Sequence, residues 1–353
     1  MAYTTIDDPS AYFNTLLYSG NAGTNALTNS ANAGNFQPDW LWIKCRNSAV
    51  SHNAFDTSRQ TSGESTLVIR PNSNDAESNV SGDGMTSIDS NGFTLNGGGS
   101  GGGVNESGKT YVAWQWKCNG GTTSTNNDGS VSVTLQTNST AGFSIGTFTG
   151  TGNSSGTIGH GLGAKPDWLI VKRRDGSENW NNILPNVDSK LLRLNTADAS
   201  FTGSAINSVG ASTFTDGNGN NAVFYAFKSI QGYSKFGSYT GNGNADGPFV
   251  YTGFKPAWVM IKRINSSNNW HIHDNKRDTF NVADAPLLAN TSDAELTNTT
   301  VDFLSNGFKL RTSVNFANGS EDYIYMAFAE HPFVSSKGVP TTARWKIFYF
   351  LFF

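Results

Sequence analysis

Cysteine is nearly absent from this chain of 353 residues, which carries only Cys45 and Cys118. Two cysteines cannot form the several disulfide bonds of a disulfide-rich secreted domain, and we expect both to be free thiols in the core. Charge is scarce as well, because Asp, Glu, Lys and Arg make up 14% of the residues, against about 25% in an ordinary soluble domain. The few Lys and Arg are scattered and form no basic face, so we expect no nucleic-acid partner.

Long hydrophobic runs are also missing. No stretch reaches the roughly 20 apolar residues of a membrane-spanning helix, so no membrane insertion is expected. The N-terminus has neither a basic start nor an apolar segment, so we expect no signal peptide and synthesis in a cytoplasm.

Glycine, at 39 residues, and abundant Asn, Ser and Thr fill the chain instead. These residues are poor helix formers, because Gly costs backbone entropy and the others divert hydrogen bonds into turns. Aromatic residues at 12%, with nine Trp, still supply enough apolar surface for a core. The composition therefore predicts an all-β fold of short strands joined by polar loops.

One short pattern occurs three times: Pro, then Asp or Ala, then Trp, three large apolar residues and Lys. Its tryptophans are Trp40, Trp168 and Trp258. The near-continuous apolar run predicts a strand buried on both faces, with these three Trp as core anchors. An aromatic-Ser/Thr-Gly turn precedes each Trp, and an alternating aromatic strand closes each copy.

The repetition predicts three tandem antiparallel β-sandwich modules of about 100 residues each. We place the boundaries as an N-terminal segment 1–9, a first module 10–118, a flexible polar linker 119–139, a second module 140–232, a third module 235–333 and a C-terminal extension 334–353. The short junction after residue 232 suggests that the second and third modules pack together.

Four stretches carry a resemblance to a known group of proteins. They are TIDDPSAYF at 5–13, GYSKFGSYTGNG at 232–243, DFLSNGFKLR at 302–311 and YMAFAE at 325–330. They resemble repeat modules of structural and tail-fibre proteins of tailed bacteriophages of marine bacteria, over residues 1–344. The resemblance implies a virion component assembled in the host cytoplasm, and it supplies no catalytic motif to transfer.

The last nine residues, 345–353, depart from that pattern. They are apolar or aromatic except for Lys346. They are too few to span a bilayer, and they are either an added docking segment or an extension without a role. Exposed on a monomer they would promote aggregation. We therefore expect a homotrimer, or another virion protein, to cover them.

Three strings suggest chemistry that their context does not support. Residues 103–110 fit the phosphate-loop pattern G-x-x-x-x-G-K-[ST], but no strand precedes them and a strand-like run follows, so we predict an inert hairpin loop. The G-x-S-x-G string at 152–156 lies in a Gly/Ser-rich stretch without the helix that a nucleophile elbow needs. His271 and His273 suggest a metal site, but a half-exposed strand is favoured. We predict no catalytic residue, no cofactor and no metal.

Ligand binding is expected at exposed rings. Trp42, Trp180 and Trp270 lie beside polar residues or on the outer side of a strand, and they are the candidate ligand-facing aromatics. The predicted function is a tail fibre or receptor-binding fibre that attaches to a host surface glycan or an outer-membrane receptor. The alternative is a capsid decoration or tail adaptor with a purely structural role. A glycan-cleaving enzyme would need a pair of spaced carboxylates, and no pair stands out.

Overall fold

Antiparallel β-strands dominate the structure. The computed structural model describes residues 2–29, 35–60, 67–80, 84–97, 103–152, 155–217, 219–298 and 300–341. In these ranges the only regular element besides strands is a short 3-10 helix, Pro9–Ala11. None of the described helical segments is long and apolar enough to cross a membrane. The predicted all-β antiparallel class is confirmed, and the apolar tail 345–353 lies outside the described residues.

The strands fall into three consecutive groups, which we call the first, second and third units. The first unit holds β1 (Phe13–Ser19), β2 (Asn25–Thr28), β3 (Trp40–Cys45), β4 (Asn53–Asp56), β5 (Leu67–Val68), β6 (Ser78–Asn79), β7 (Gly84–Asp89), β8 (Gly92–Asn96) and β9 (Thr110–Trp116). The second unit holds β10 (Ser124–Asn126), β11 (Val133–Asn138), β12 (Phe143–Thr149), β13 (Thr157–Gly159), β14 (Trp168–Arg173), β15 (Asn181–Leu184), β16 (Asp188–Arg193), β17 (Ile206–Asn207), β18 (Thr213–Asp216) and β19 (Asn221–Phe227). The third unit holds β20 (Ser234–Thr240), β21 (Phe249–Tyr251), β22 (Phe254–Arg263), β23 (His271–Asp274), β24 (Leu287–Leu288), β25 (Val301–Leu304), β26 (Gly307–Leu310) and β27 (Asp322–Pro332).

One strand order occurs in all three units. The larger sheet contains β1-β9-β3-β4 in the first unit, β12-β19-β14-β15 in the second and β20-β27-β22-β23 in the third. The second unit extends this sheet with β10, β11 and β16, and the third extends it with β24. A three-stranded sheet accompanies each larger one, with orders β2-β8-β7, β13-β18-β17 and β21-β26-β25.

The repeated tryptophans occupy one register position. Trp40 pairs with Trp116, Trp168 with Phe227 and Trp258 with Phe328, in each case on the closing strand of the larger sheet. The three repeated tryptophans are 1%, 0% and 0% exposed.

The two faces of each Trp-bearing strand enter different cores. Trp40 and Trp42 belong to a central cluster that also contains Trp168 and Trp258, whereas Leu41 and Ile43, between them in sequence, belong to a cluster of the first unit alone. The other units divide their strands in the same way. Both faces are therefore buried, which explains why the sequence shows a continuous apolar run rather than alternation. All three units, and not only the second and third, share the central core.

The interpretation of residues 119–139 as a flexible linker is wrong. Strand β11 pairs with β12 over five residue pairs and β10 pairs with β11, so this segment is part of the larger sheet of the second unit. Val131, Val133 and Leu135 point into the core of that unit. The polar residues between them gave the segment the composition of a linker, and the alternation of three apolar residues was the signal for a strand.

Candidate functional site

The three rings predicted to face a ligand are buried. Trp42, Trp180 and Trp270 are 1%, 0% and 0% exposed, so the prediction of ligand-facing aromatics is wrong. Polar flanks misled the prediction for Trp180 and Trp270, because these two rings lie at junctions between units rather than in solvent. The indole Nε1 of Trp180 donates to the carbonyl oxygen of Arg70 at 2.9 Å, and that of Trp270 donates to Arg193 at 3.0 Å. Each bond crosses from one unit to the preceding one.

Equivalent lysines also reach across the junctions between units. Each Nζ donates to a backbone carbonyl of another unit: Lys44 to Ser292 at 3.1 Å, Lys172 to Asn74 at 3.2 Å and Lys262 to Ala197 at 3.1 Å. Burial lowers their pKa to about 8, 8 and 7 respectively. The contacts run from the first unit to the third, from the second to the first and from the third to the second. The three units therefore close into a ring.

Ion pairs reinforce two of the three junctions. Arg59 binds Asp56 at 2.5 Å and Glu77 at 2.7 Å, and Glu77 also binds Arg174 of the second unit at 2.9 Å. Burial opposes ionisation of Glu77, but the hydrogen bond from Arg174 and the charge of Arg59 lower its pKa. Because these charges pair with one another inside the protein, their role is structural.

The same arrangement occurs at the junction of the third and first units. Arg277 binds Asp274 at 2.6 Å and Glu295 at 3.4 Å, and Glu295 binds Arg46 of the first unit at 2.8 Å. The equal spacing of Asp56–Arg59 and Asp274–Arg277 in the sequence therefore marks ion pairs at two junctions of the ring.

The phosphate-loop string and the pair His271 and His273 have structural explanations, whereas the G-x-S-x-G string at 152–156 lies partly outside the described residues. Lys109, in the phosphate-loop string, forms an ion pair with Glu106 at 2.6 Å, and strand β9 follows it directly. His271 and His273 lie on a strand that is buried rather than half-exposed. In the described part of the chain, no group of three or more His, Cys, Asp or Glu side chains is placed to hold a metal ion.

Exposed aromatic rings lie elsewhere, and one of them, Tyr251, lines a groove where the second and third units meet. Phe249 and Tyr251 project from strand β21 at 44% and 48% exposure. Strand β21 is at the edge of its three-stranded sheet, so no strand in the described part of the chain pairs with its outer side. Tyr3, from the N-terminal segment, lies beside Tyr251 with the two hydroxyl oxygens 3.2 Å apart. We call the cavity of about 320 Å³ lined by Tyr3, Gln231, Lys235 and Tyr251 the aromatic groove.

Polar groups hold the rings of the aromatic groove in place. The Tyr3 hydroxyl donates to the carbonyl oxygen of Gly253 at 2.8 Å. Lys235 Nζ donates to the carbonyl oxygen of Tyr251 at 2.9 Å and lies 5.2 Å from the centre of the Tyr251 ring. Burial, followed by the hydrogen bond with Tyr251, raises the pKa of Tyr3 to about 12, so its hydroxyl stays neutral near pH 7. The groove thus combines fixed apolar rings, neutral hydroxyls and one cation.

Sequence reasoning missed this groove. Phe249, Val250 and Tyr251 are consecutive apolar residues, and such a run normally indicates a buried strand. Only Val250 points into the core, at 7% exposure. Tyr3 lies 248 residues away in sequence from Tyr251, so no local pattern links the two.

Comparison with known families gives one match. The model of a family described as a domain of unknown function, DUF7483, matches residues 8–332. The matched range runs without a break through the strands of all three units. No curated protein matches the chain.

Proposed function

We propose that this chain, which belongs to the DUF7483 family, is a non-catalytic attachment protein of a bacteriophage virion that binds a host surface glycan in the aromatic groove. The three units are then copies of one module, and the ring is a rigid support for the groove. Placement in the virion, and assembly in the host cytoplasm, follow from the sequence resemblance to tail-fibre proteins.

One observation carries the binding proposal. The Trp side chains that the repeats provide are buried in cores or at junctions, whereas Tyr251 keeps 48% of its surface exposed beside a groove with polar walls. An exposed ring that hydrogen bonds hold in place offers an apolar face to a ligand without losing much conformational entropy on binding. The apolar face of a sugar ring stacks on such a surface, while its hydroxyls meet Lys235 and Gln231.

The arrangement of charge supports the same class of ligand. Lys235 is the cation of the groove, and burial lowers its pKa. Neutral and mildly acidic surface glycans both suit a groove with one cation and neutral hydroxyls. Homotrimeric assembly, proposed from the sequence, would add avidity to such weak individual sites.

The test is binding of the full chain to purified host envelope and to glycans released from it. Tyr251→Ala removes the exposed ring, and we expect at least a tenfold loss of affinity, about 1.4 kcal/mol. Phe280→Ala is the matched control, because Phe280 is 85% exposed elsewhere in the same unit and does not line the groove. Equal binding by both variants would contradict the groove as the site. Absence of binding by the wild-type chain would favour the structural alternative, a capsid decoration or tail adaptor.

A further inference from the structure

A cavity of about 460 Å³ opens where the first and second units meet. Lys117 and Asn119, which follow strand β9, lie on one wall, and Asn138 and Ser139, at the end of strand β11, lie on the other. Tyr12, just before strand β1, also lines the cavity. The volume is in the range of pockets that hold small ligands, roughly 300–1,000 Å³. The cavity shares no lining residue with the aromatic groove.

Hydrogen bonds hold both walls of this cavity in place. The buried carboxylate of Asp39 accepts from the N–H groups of Cys118 at 2.6 Å and Gly120 at 2.9 Å, which fixes the first wall from behind. Asn138 Nδ2 donates to the carbonyl oxygen of Cys118 at 2.9 Å and ties the second wall to the first. These bonds join protein groups alone, so a ligand would lose little affinity to ordering of the site.

A tyrosine and a lysine form a cation–π pair at this cavity. Lys117 Nζ lies 5.7 Å from the centre of the Tyr12 ring, and both side chains are half-buried, so part of each faces solvent. Tyr12 also packs edge-on against Tyr233, with the ring centres 5.9 Å apart. Lys235 and Tyr251 of the aromatic groove make the same kind of pair at 5.2 Å. The cavity therefore offers a held aromatic ring with a cation beside it.

The cation of this cavity lacks an acidic partner. Among the described residues, Lys117 makes no ion pair, and no Asp or Glu lines the cavity. The carboxylate of Asp39, behind the wall, is 0% exposed and accepts the two backbone hydrogen bonds given above. A ligand carboxylate is the complementary group for such an amine, because a hydrogen bond between two ions is stronger than one between neutral groups.

The third unit has Ala329 in the place of Lys117. The equivalence is structural, because the N–H of Lys117 donates to the carbonyl oxygen of Tyr12 just as the N–H of Ala329 donates to that of Tyr233. A cavity of about 440 Å³ lies at this strand end as well. Its wall carries three carboxylates and one amine, from Asp7, Asp8, Glu330 and Lys276. The charge at the two strand ends therefore differs in sign, and an anion is favoured only beside Lys117.

From this geometry we propose that the cavity at Lys117 is a second binding site, which takes a sugar unit that carries a carboxylate. The carboxylate pairs with Lys117, and the apolar face of the sugar packs against Tyr12. Asn119 and Ser139 are exposed on the two walls and supply hydrogen-bonding groups for the sugar hydroxyls. The proposal goes beyond glycan binding in the aromatic groove and does not depend on it.

Two variants of the full chain test the site. Lys117→Gln removes the charge and keeps a long polar side chain. Lys228→Gln is the matched control, because Lys228 follows strand β19 as Lys117 follows strand β9, and it lines neither the cavity nor the aromatic groove. The probe is methyl glucuronide, with methyl glucoside as the neutral comparison, and binding is measured by NMR titration. Tyr251→Ala is titrated in parallel to report on the aromatic groove.

We expect methyl glucuronide to shift the amide signals of Asn119 and Ser139. Lys117→Gln should weaken this binding at least tenfold, whereas Lys228→Gln and Tyr251→Ala leave it unchanged. The proposal is overturned if methyl glucuronide shifts neither signal, if methyl glucoside binds as tightly, or if Lys117→Gln retains the wild-type affinity. Loss of binding in Tyr251→Ala with none in Lys117→Gln would assign the acidic sugar to the aromatic groove instead.

Discussion

The hydroxyl of Tyr225 donates a 2.5 Å hydrogen bond to Asp56 Oδ2 across the junction between the second and first units. Trp114 of the first unit makes the corresponding bond to Asp274 of the third unit at 3.0 Å. At the remaining junction the equivalent positions hold Met326 and Leu184, both in the central apolar cluster. Two junctions of the ring therefore use a buried polar pair, and the third uses apolar side chains.

Removing the Tyr225 hydroxyl should destabilise the whole ring. Tyr225→Phe takes one donor from the buried Asp56, and we expect a loss of about 1–3 kcal/mol in the free energy of unfolding. Tyr239→Phe is the comparison, because it removes a bond to the carbonyl oxygen of Ala317 within the third unit. Calorimetry should show a single transition that both variants move to lower temperature. Separate transitions, each moved by one variant only, would mean that the units unfold independently.

Stability should fall on acidification because of two buried histidines. Burial, followed by the charge of Lys262, lowers the pKa of His271 to about 3, and burial also lowers the pKa of His273 well below its usual value of 6.5. All four of their ring nitrogens lack a hydrogen-bond partner among the described residues. Since the unfolded state binds protons more readily, the folded state is favoured fully above pH 6.5 and progressively less below it. The loss is at most about 2 kcal/mol per histidine between pH 6.5 and 5.

The first unit suggests a variant that tests whether His271 and His273 cause the loss of stability on acidification. It carries Asn53 and Phe55 at the two equivalent positions, so the double variant His271→Asn/His273→Phe copies a side-chain pair that the fold already accepts. Chemical denaturation from pH 8 to pH 5 should show a shallower decline for the double variant than for the wild type. His52 and His160, whose pKa burial also lowers, are present in both proteins and leave a common background. Parallel pH profiles would show that His271 and His273 do not cause the decline.

A buried amide shapes the loop that follows strand β20. The Nδ2 of Asn318 donates to Asn242 Oδ1 at 3.0 Å and to the carbonyl oxygens of Asn244 and Thr312, each at 2.7 Å. Asn318→Asp would place a carboxylate oxygen against these three acceptors, and we expect a loss of about 3–5 kcal/mol. Asn244→Asp is the matched control in the same loop, because its Oδ1 accepts from the N–H of Asp246 and a carboxylate still can. Urea denaturation that finds the two variants equally stable would contradict this role of Asn318.

The sequence was informative where a residue's neighbours in the chain determine its environment. The continuous apolar run after Trp40 indicated burial on both faces, and the structure places one face in the first unit and the other in the central core. The glycine of the aromatic-Ser/Thr-Gly turn in the first unit depends instead on a distant contact, because a side chain at Gly20 would collide with the carbonyl oxygen of Glu106.

The features that the sequence did not reveal depend on contacts at the junctions between units. Trp180 looked exposed because its partner, Arg70, is 110 residues away. Ala257 looked like a small variation of the repeated pattern, although it lines a cavity together with Thr15 of another unit. Such effects depend on contacts between distant segments, which spacing within one repeat does not encode.

Adsorption of virions to host cells tests the proposed function most directly. Virions whose chain carries Tyr251→Ala should adsorb at least tenfold more slowly than the wild type, while virions with Phe280→Ala adsorb at the wild-type rate. Both variants must be shown to assemble to wild-type levels, so that a difference in rate reports binding. Adsorption of Tyr251→Ala virions at the wild-type rate would contradict attachment through the aromatic groove. The finding that wild-type virions do not contain the protein would contradict it as well.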